Sequence, residues 1–198
     1  MLNVRQGAES AGPAKVRRWD MNPHEIHCQY FSQEDLLASG CLDMNLAMNA
    51  AEEAMKLYAE GDVLFPEKIV QIFNDETQER INCLPATFRS KHICGVKWVS
   101  VFPPNPVKYG MQNLSAVIIL SEIDHGFPIA FMEGTLCSNI RVGAMGGLAA
   151  RYLARPDSES IGFIGAGDLG FPLSVTLEGL EARHLDHGDV VAGEVVAA

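Results

Sequence analysis

Positive charge is scarce in this sequence: 15 Lys and Arg stand against 25 Asp and Glu, a formal charge of −10. That balance argues against a nucleic-acid partner, because binding a phosphate backbone depends on clustered cations that release counterions. The one basic cluster, Lys15-Val16-Arg17-Arg18, falls early, among Gly, Ala, Ser and Pro. No apolar run approaches the ~20 residues that a membrane helix needs; the longest, Leu114 to Leu120, is strand-sized. Glu9 and the missing apolar stretch argue against a targeting segment. Cysteine is also sparse: Cys28, Cys41, Cys83, Cys94 and Cys137 are odd in number and contain no C-x-x-C pair. Their spacing supplies no zinc or disulfide framework and fits reduced thiols at small core positions. The expectation is a soluble, cytoplasmic protein with neither nucleic acid nor membrane as partner.

What is there is an ordinary globular composition, 47% hydrophobic and 20% charged. Residues 1–20 read as a flexible extension, with structure starting near Met21. His27 to Phe31 predicts a strand, followed by Ser32 as an N-cap with Glu34 and Asp35 in the first turn. Asp43 opens a longer helix whose apolar stripe, Leu46, Ala47, Ala50, Ala54, Met55 and Tyr58, ends at Gly61. Five strand-like runs follow: Lys68 to Phe73, Ile81 to Pro85, Gly95 to Phe102, Leu114 to Ile123 and Phe127 to Met132. Tight reversals between them predict an α+β fold with a mostly antiparallel sheet packed with helices. Pro103 to Gly110 reads as a loop, too Pro-rich for helix or central strand. Leu136 to Leu153 predicts a helix rich in Gly and Ala, a surface that another helix, a subunit or a ligand can approach closely; Pro156 ends it.

Three sets of residues bear on chemistry. A strand-like run, Ile161 to Ile164, leads into Gly165, Gly167 and Gly170 at the G-x-G-x-x-G spacing of a dinucleotide-binding turn. Phe171-Pro172-Leu173-Ser174 is nevertheless a poor first helical turn, and no second strand precedes Glu181 or Asp186, the nominal ribose-binding acids. Lys97 in an apolar strand and Arg141 on a small-residue helix are cations without a sequence-local acid, which invites an anionic ligand and, for the Arg fork, a carboxylate. The competing reading pairs them with Glu122, Asp124 or Glu133 as structural salt bridges. His184 and His187 resemble a turn more than a metal site, and Trp98, Phe102 and Tyr109 suit either a pocket or the core.

The ordered motifs Gly95-Val96-Lys97-Trp98-Val99, Gly110-Met111-Gln112-Asn113, Gly126-Phe127-Pro128-Ile129-Ala130, Arg141-Val142-Gly143-Ala144, Leu153-Ala154-Arg155-Pro156-Asp157 and Ile164-Gly165-Ala166-Gly167 resemble the ornithine cyclodeaminase/mu-crystallin family. The resemblance spans roughly Met21 to Gly167. It implies a substrate-binding and dimerisation domain over residues 21–159 and a remnant dinucleotide-binding strand and glycine turn over residues 160–170. Residues 171–198 are then a C-terminal segment returning to the first domain, His187 to Gly193 resembling the family's chain end. Lys97 is the implied catalytic residue, and Lys97, Arg141 and Lys68 the substrate-binding cations, Lys68 standing where members usually carry Arg. Asn113, Gly165, Ala166 and Gly167 are implied to meet NAD or NADP. The implied activity is NAD(P)-dependent cyclising deamination or oxidoreduction of a small amino or imino acid by a homodimer. Ala198 comes 31 residues after Gly167, so the expectation is that most of the Rossmann domain is lacking. The alternative reading is therefore an inactive truncated homologue, a dimerising module that binds a small carboxylate.

Overall fold

The computed structural model describes residues 2–6, 26–155, 157 and 158. In chain order the elements are strands β1 (Leu2–Gln6) and β2 (Ile26–Phe31), helices α1 (Gln33–Ala38) and α2 (Met44–Ala59), and strands β3 (Val63–Leu64), β4 (Ile69–Asn74), β5 (Glu79–Phe88) and β6 (Ile93–Val101). Helix α3 (Asn105–Tyr109), strands β7 (Leu114–Glu122) and β8 (Pro128–Glu133) and helix α4 (Thr135–Leu153) complete them. The eight strands form one sheet in the order β1-β2-β8-β7-β6-β5-β3, with β4 also paired to β5. All pairings are antiparallel except β1 with β2 and β2 with β8. The α+β class and the mostly antiparallel sheet are as expected from the sequence.

The chain divides into two compact units, one built from residues up to Ser39 with Leu57–Thr135, the other from Gly40–Lys56 with the chain from Leu136 on. The first holds the sheet. Side chains alternate across its faces, so directly paired residues share a face; buried Val99, Ala116 and Ala130 fall on one of the two, and buried Cys28 on the other. Ser32 caps α1 as its position predicts: its hydroxyl accepts the Asp35 N–H, and the Asp35 carboxylate accepts the Ser32 N–H at 2.8 Å. These bonds hold Asp35 below the ordinary carboxylate range, the Ser32 backbone N–H contributing most and its hydroxyl next.

The second unit is a helix pair. Met44, Met48 and Ala51 of α2 pack with Ile140, Ala144 and Leu148 of α4, and Ala144 is wholly buried. Of the small residues of α4, Ala144 packs in this cluster, and Gly143 and Gly147 are also buried. Outside the core, Glu52 of α2 accepts hydrogen bonds from Lys56 at 2.6 Å and from the Tyr152 hydroxyl of α4 at 2.9 Å. Its carboxyl is held below the ordinary range by the Lys56 hydrogen bond first and that of Tyr152 second, outweighing desolvation.

Several features differ from the sequence reading. The face that α2 buries is Met44, Met48 and Ala51, whereas Leu46, Met55 and Tyr58 of the expected stripe are exposed. Leu2–Gln6 is a strand paired in parallel with β2, from Leu2 opposite Ile26 to Gln6 opposite Tyr30, within the segment read as an extension; only pairing to a distant strand defines it. Pro103 to Gly110 contains a helix rather than a plain loop. Pro104 is its N-cap and Pro106 lies in its first turn, where the missing N–H costs nothing. Gly110 closes it at φ 63°, its N–H on the Asn105 carbonyl. Strand β5 also runs beyond Pro85, which sits in the gap between its pairings with β4 and β3, where an absent N–H is tolerated. Residues 160–170 and 171–198, including the glycine turn, His184 and His187, and the basic cluster at 15–18, lie outside the described residues.

Candidate functional site

Lys97 is in the middle of β6, opposite Leu84 of β5 and Ile118 of β7; Ile118 is in turn opposite Met132 of β8. Its row is thus apolar on both sides, and it lies on the face that carries Val99, Ala116 and Ala130. Lys97 itself is half-buried. An ammonium on an apolar face is costly to desolvate unless paired, and removal from bulk water strengthens its attraction to an anion. Gly95, two residues earlier on the same face, has a packing role: a Cβ there would lie 2.7 Å from Leu120 Cδ2. The Gly-Val-Lys motif combines a close contact with a cation one pleat away.

Lys68 immediately precedes β4. The register pairs Ile69 with Cys83, and one further step brings Lys68 level with Leu84, the residue opposite Lys97. Extended by that one step, the register would put the two lysines in one row and on one face, two strand spacings or about 10 Å apart. Unlike Lys97, Lys68 is exposed. Arg141 lies on α4 in the second unit and is exposed; it makes no ion pair with any described residue.

Asn113 is exposed just before β7, and its carbonyl accepts the Phe102 N–H at 2.8 Å. That bond, with the Asn105 side-chain amide on the Gln112 carbonyl at 3.3 Å, ties the two ends of the α3 segment together. The segment presents Val107, Tyr109 and Met111 to solvent. Gly165, Ala166 and Gly167 lie outside the described residues.

Each of the acids weighed as structural partners makes local contacts of its own. Glu122 closes the β7–β8 turn by accepting the N–H groups of Asp124, His125 and Phe127. Desolvation pushes its carboxyl up, but the three backbone donors prevail and hold it below the ordinary range. Asp124 accepts from the His92 ring at 2.9 Å, and Glu133 accepts the Thr135 N–H at the start of α4. No cluster of three or more His, Cys, Asp or Glu suited to a metal occurs among the described residues. None of the described helices is long and apolar enough to cross a membrane.

A sequence profile of the ornithine cyclodeaminase/mu-crystallin family matches residues 36–173, well over half of the chain. The chain belongs to that family. It is 40% identical over 154 residues to an alanine dehydrogenase of Archaeoglobus fulgidus, covering 78% of this chain and 45% of that protein. Among solved structures it is similar to an archaeal alanine dehydrogenase dimer with bound NAD, at TM-score 0.69 and 36% identity over 80% of this chain and 46% of that one. It is equally similar to the Thermococcus litoralis Δ1-pyrroline-2-carboxylate reductase in complex with NADH and L-proline, at TM-score 0.70 and 29% identity over 76% and 45%. The chain spans less than half the length of these relatives.

For this member of the ornithine cyclodeaminase/mu-crystallin family, the sheet row explains what spacing alone did not. Lys68 and Lys97 are 29 positions apart, and only the β4-β5-β6 pairing makes them neighbours on one face. No local pattern signals that, because the two strands are not consecutive neighbours in the sheet.

Proposed function

We propose that this chain supplies the substrate grip of an NAD(P)-dependent enzyme acting on a small amino or imino acid. The observation that carries the reading is the half-buried Lys97 in an apolar row, with Lys68 level with it on the same face. In this proposal Lys97 binds the substrate carboxylate as the catalytic residue. The exposed Lys68 adds a weaker, longer-range attraction, and in the second unit Arg141 is proposed separately as a carboxylate contact through its guanidinium fork. NAD(P), met by Asn113 and the Gly165-Ala166-Gly167 turn, would supply hydride acceptance and return. The chain's own cations orient the α-carbon by fixing the carboxylate.

The same proposal includes a homodimer. The sheet face opposite Lys97 is apolar and open: Ile69 is 62% exposed, Trp98 40% and Phe131 36%. These belong to connected rows through Cys83, Val117 and Ile119, and Phe131 stacks on Tyr30 at 5.9 Å. A contiguous apolar patch of this kind favours association.

Thermal unfolding of the purified chain tests the grip. L-Alanine, L-proline and L-ornithine are titrated separately, with and without NAD+. A concentration-dependent rise in melting temperature with at least one amino acid is expected, as for any ligand that binds the native state. No rise with any of the three, alone or with NAD+, refutes the reading.

A further inference from the structure

Cys41, in the turn entering α2, and Cys137, in the first turn of α4, are 96 positions apart, yet their sulfurs approach to 3.9 Å. Both belong to the helix-pair unit and both are half-buried rather than sealed. We propose that this pair is a reversible redox site, converted by a peroxide into a Cys41–Cys137 disulfide. The inference is independent of the carboxylate-binding proposal.

Three features single out these thiols. The first is proximity: the sulfurs are already in contact, so the bond of about 2.05 Å needs side-chain rotation and a small approach of two helix entries. The second is reactivity. Cys137 lies in the first turn of a 19-residue helix, where the positive end of the helix favours a thiolate. The third is the contrast with the other cysteines. Cys28 is buried and its thiol is pushed up by that burial, which suppresses the reactive thiolate. Cys83 pairs across the sheet with Trp98 and Cys94 with Thr87, so these two are not cross-strand partners.

The chemistry balances. One thiolate attacks the peroxide O–O bond; its sulfur becomes a sulfenic acid, and the second peroxide oxygen leaves as hydroxide and takes up a proton to give water. The other thiolate then forms the S–S bond at that sulfur and displaces its hydroxyl group, which leaves as a second water after protonation. Two thiols are oxidised to one disulfide and one peroxide is reduced to two waters. A thiol reductant reverses the bond, in keeping with disulfides in reducing compartments being transient and sensory. The bridge would fasten the entry of α2 to the first turn of α4 beside Met44, Met48, Ile140 and Ala144. Such a long cross-linked loop restricts the unfolded chain strongly, so the oxidised form is expected to melt at a higher temperature than the reduced one.

The test uses the full chain treated with hydrogen peroxide, then blocked with an alkylating agent and mapped by peptide mass spectrometry. The expected result is a cross-linked pair of peptides carrying Cys41 and Cys137, lost on dithiothreitol treatment, with Cys28, Cys83 and Cys94 still alkylated. Cys41→Ser and Cys137→Ser should each abolish the cross-link, whereas Cys83→Ser should leave it unchanged. The proposal is overturned if all five cysteines stay alkylated, if the bridge joins other cysteines or two chains, or if oxidation stops at sulfinic acid. The unsubstituted chain decides among these outcomes even if a serine variant folds poorly.

Discussion

Replacing Lys97 by methionine separates the grip from the fold. Methionine is unbranched and of similar length, and the cross-strand partners Leu84 and Ile118 are apolar, so the sheet should accommodate its shape. The proposed carboxylate contact is lost. A hydrogen bond to a charged group is worth about 1.5–3 kcal/mol, and the half-buried position of Lys97 places it toward the upper part of that range. The dissociation constant of the bound amino acid should therefore rise by roughly 10- to 150-fold. Lys68 is exposed, and an exposed ion pair contributes about 0.2–1 kcal/mol, so Lys68→Ala should weaken binding by no more than about fivefold. Isothermal titration of both variants, using whichever amino acid stabilises the wild type, measures the two constants side by side. Wild-type affinity in Lys97→Met, or a larger loss in Lys68→Ala, would refute the assignment of the primary carboxylate contact to the half-buried lysine.

Further outcomes follow from the same geometry. Arg141→Ala should weaken carboxylate binding more than Lys68→Ala in that titration, because a guanidinium fork can bond both oxygens; equal losses count against the ranking. Ile140→Ala, in the buried α2–α4 core, should lower unfolding free energy by about 2–5 kcal/mol in urea denaturation, and an unchanged midpoint would show that this core contributes little. Asp35 has a folded pKa below its unfolded value, so the stability it adds is complete above the unfolded value and fades as pH falls through the folded one. As pH falls through and below the ordinary carboxylate range the wild type should therefore lose more stability than Asp35→Asn, and parallel curves would remove the capping carboxylate as the cause. Trp98→Asp puts a charge in the open apolar face and should shift sedimentation from dimer to monomer; a wild type that already sediments as a monomer at micromolar concentration eliminates the dimer.

Local chemistry was enough to determine most of the elements. Ser32 with Asp35 marks the start of α1, Gly61 stops α2, Pro156 lies just past α4, and alternating apolar runs between tight turns lay out the antiparallel strands. Each is a contest between neighbouring groups for hydrogen bonds or for a face to bury, so a short window contains its causes. The family was also legible, because ordered motifs survive independently of how the chain is packed. What only tertiary structure decided are relations between distant residues. Leu2–Gln6 is a strand because β2 offers it a ladder, and Pro104 and Pro106 fit a helix because they occupy its first turn. Lys68 and Lys97 share a row because β5 lies between their strands. Cys41 and Cys137 touch because α2 and α4 pack through Met44, Met48, Ile140 and Ala144. In each case the deciding energy is a contact across the fold, and sequence spacing carries no term for it.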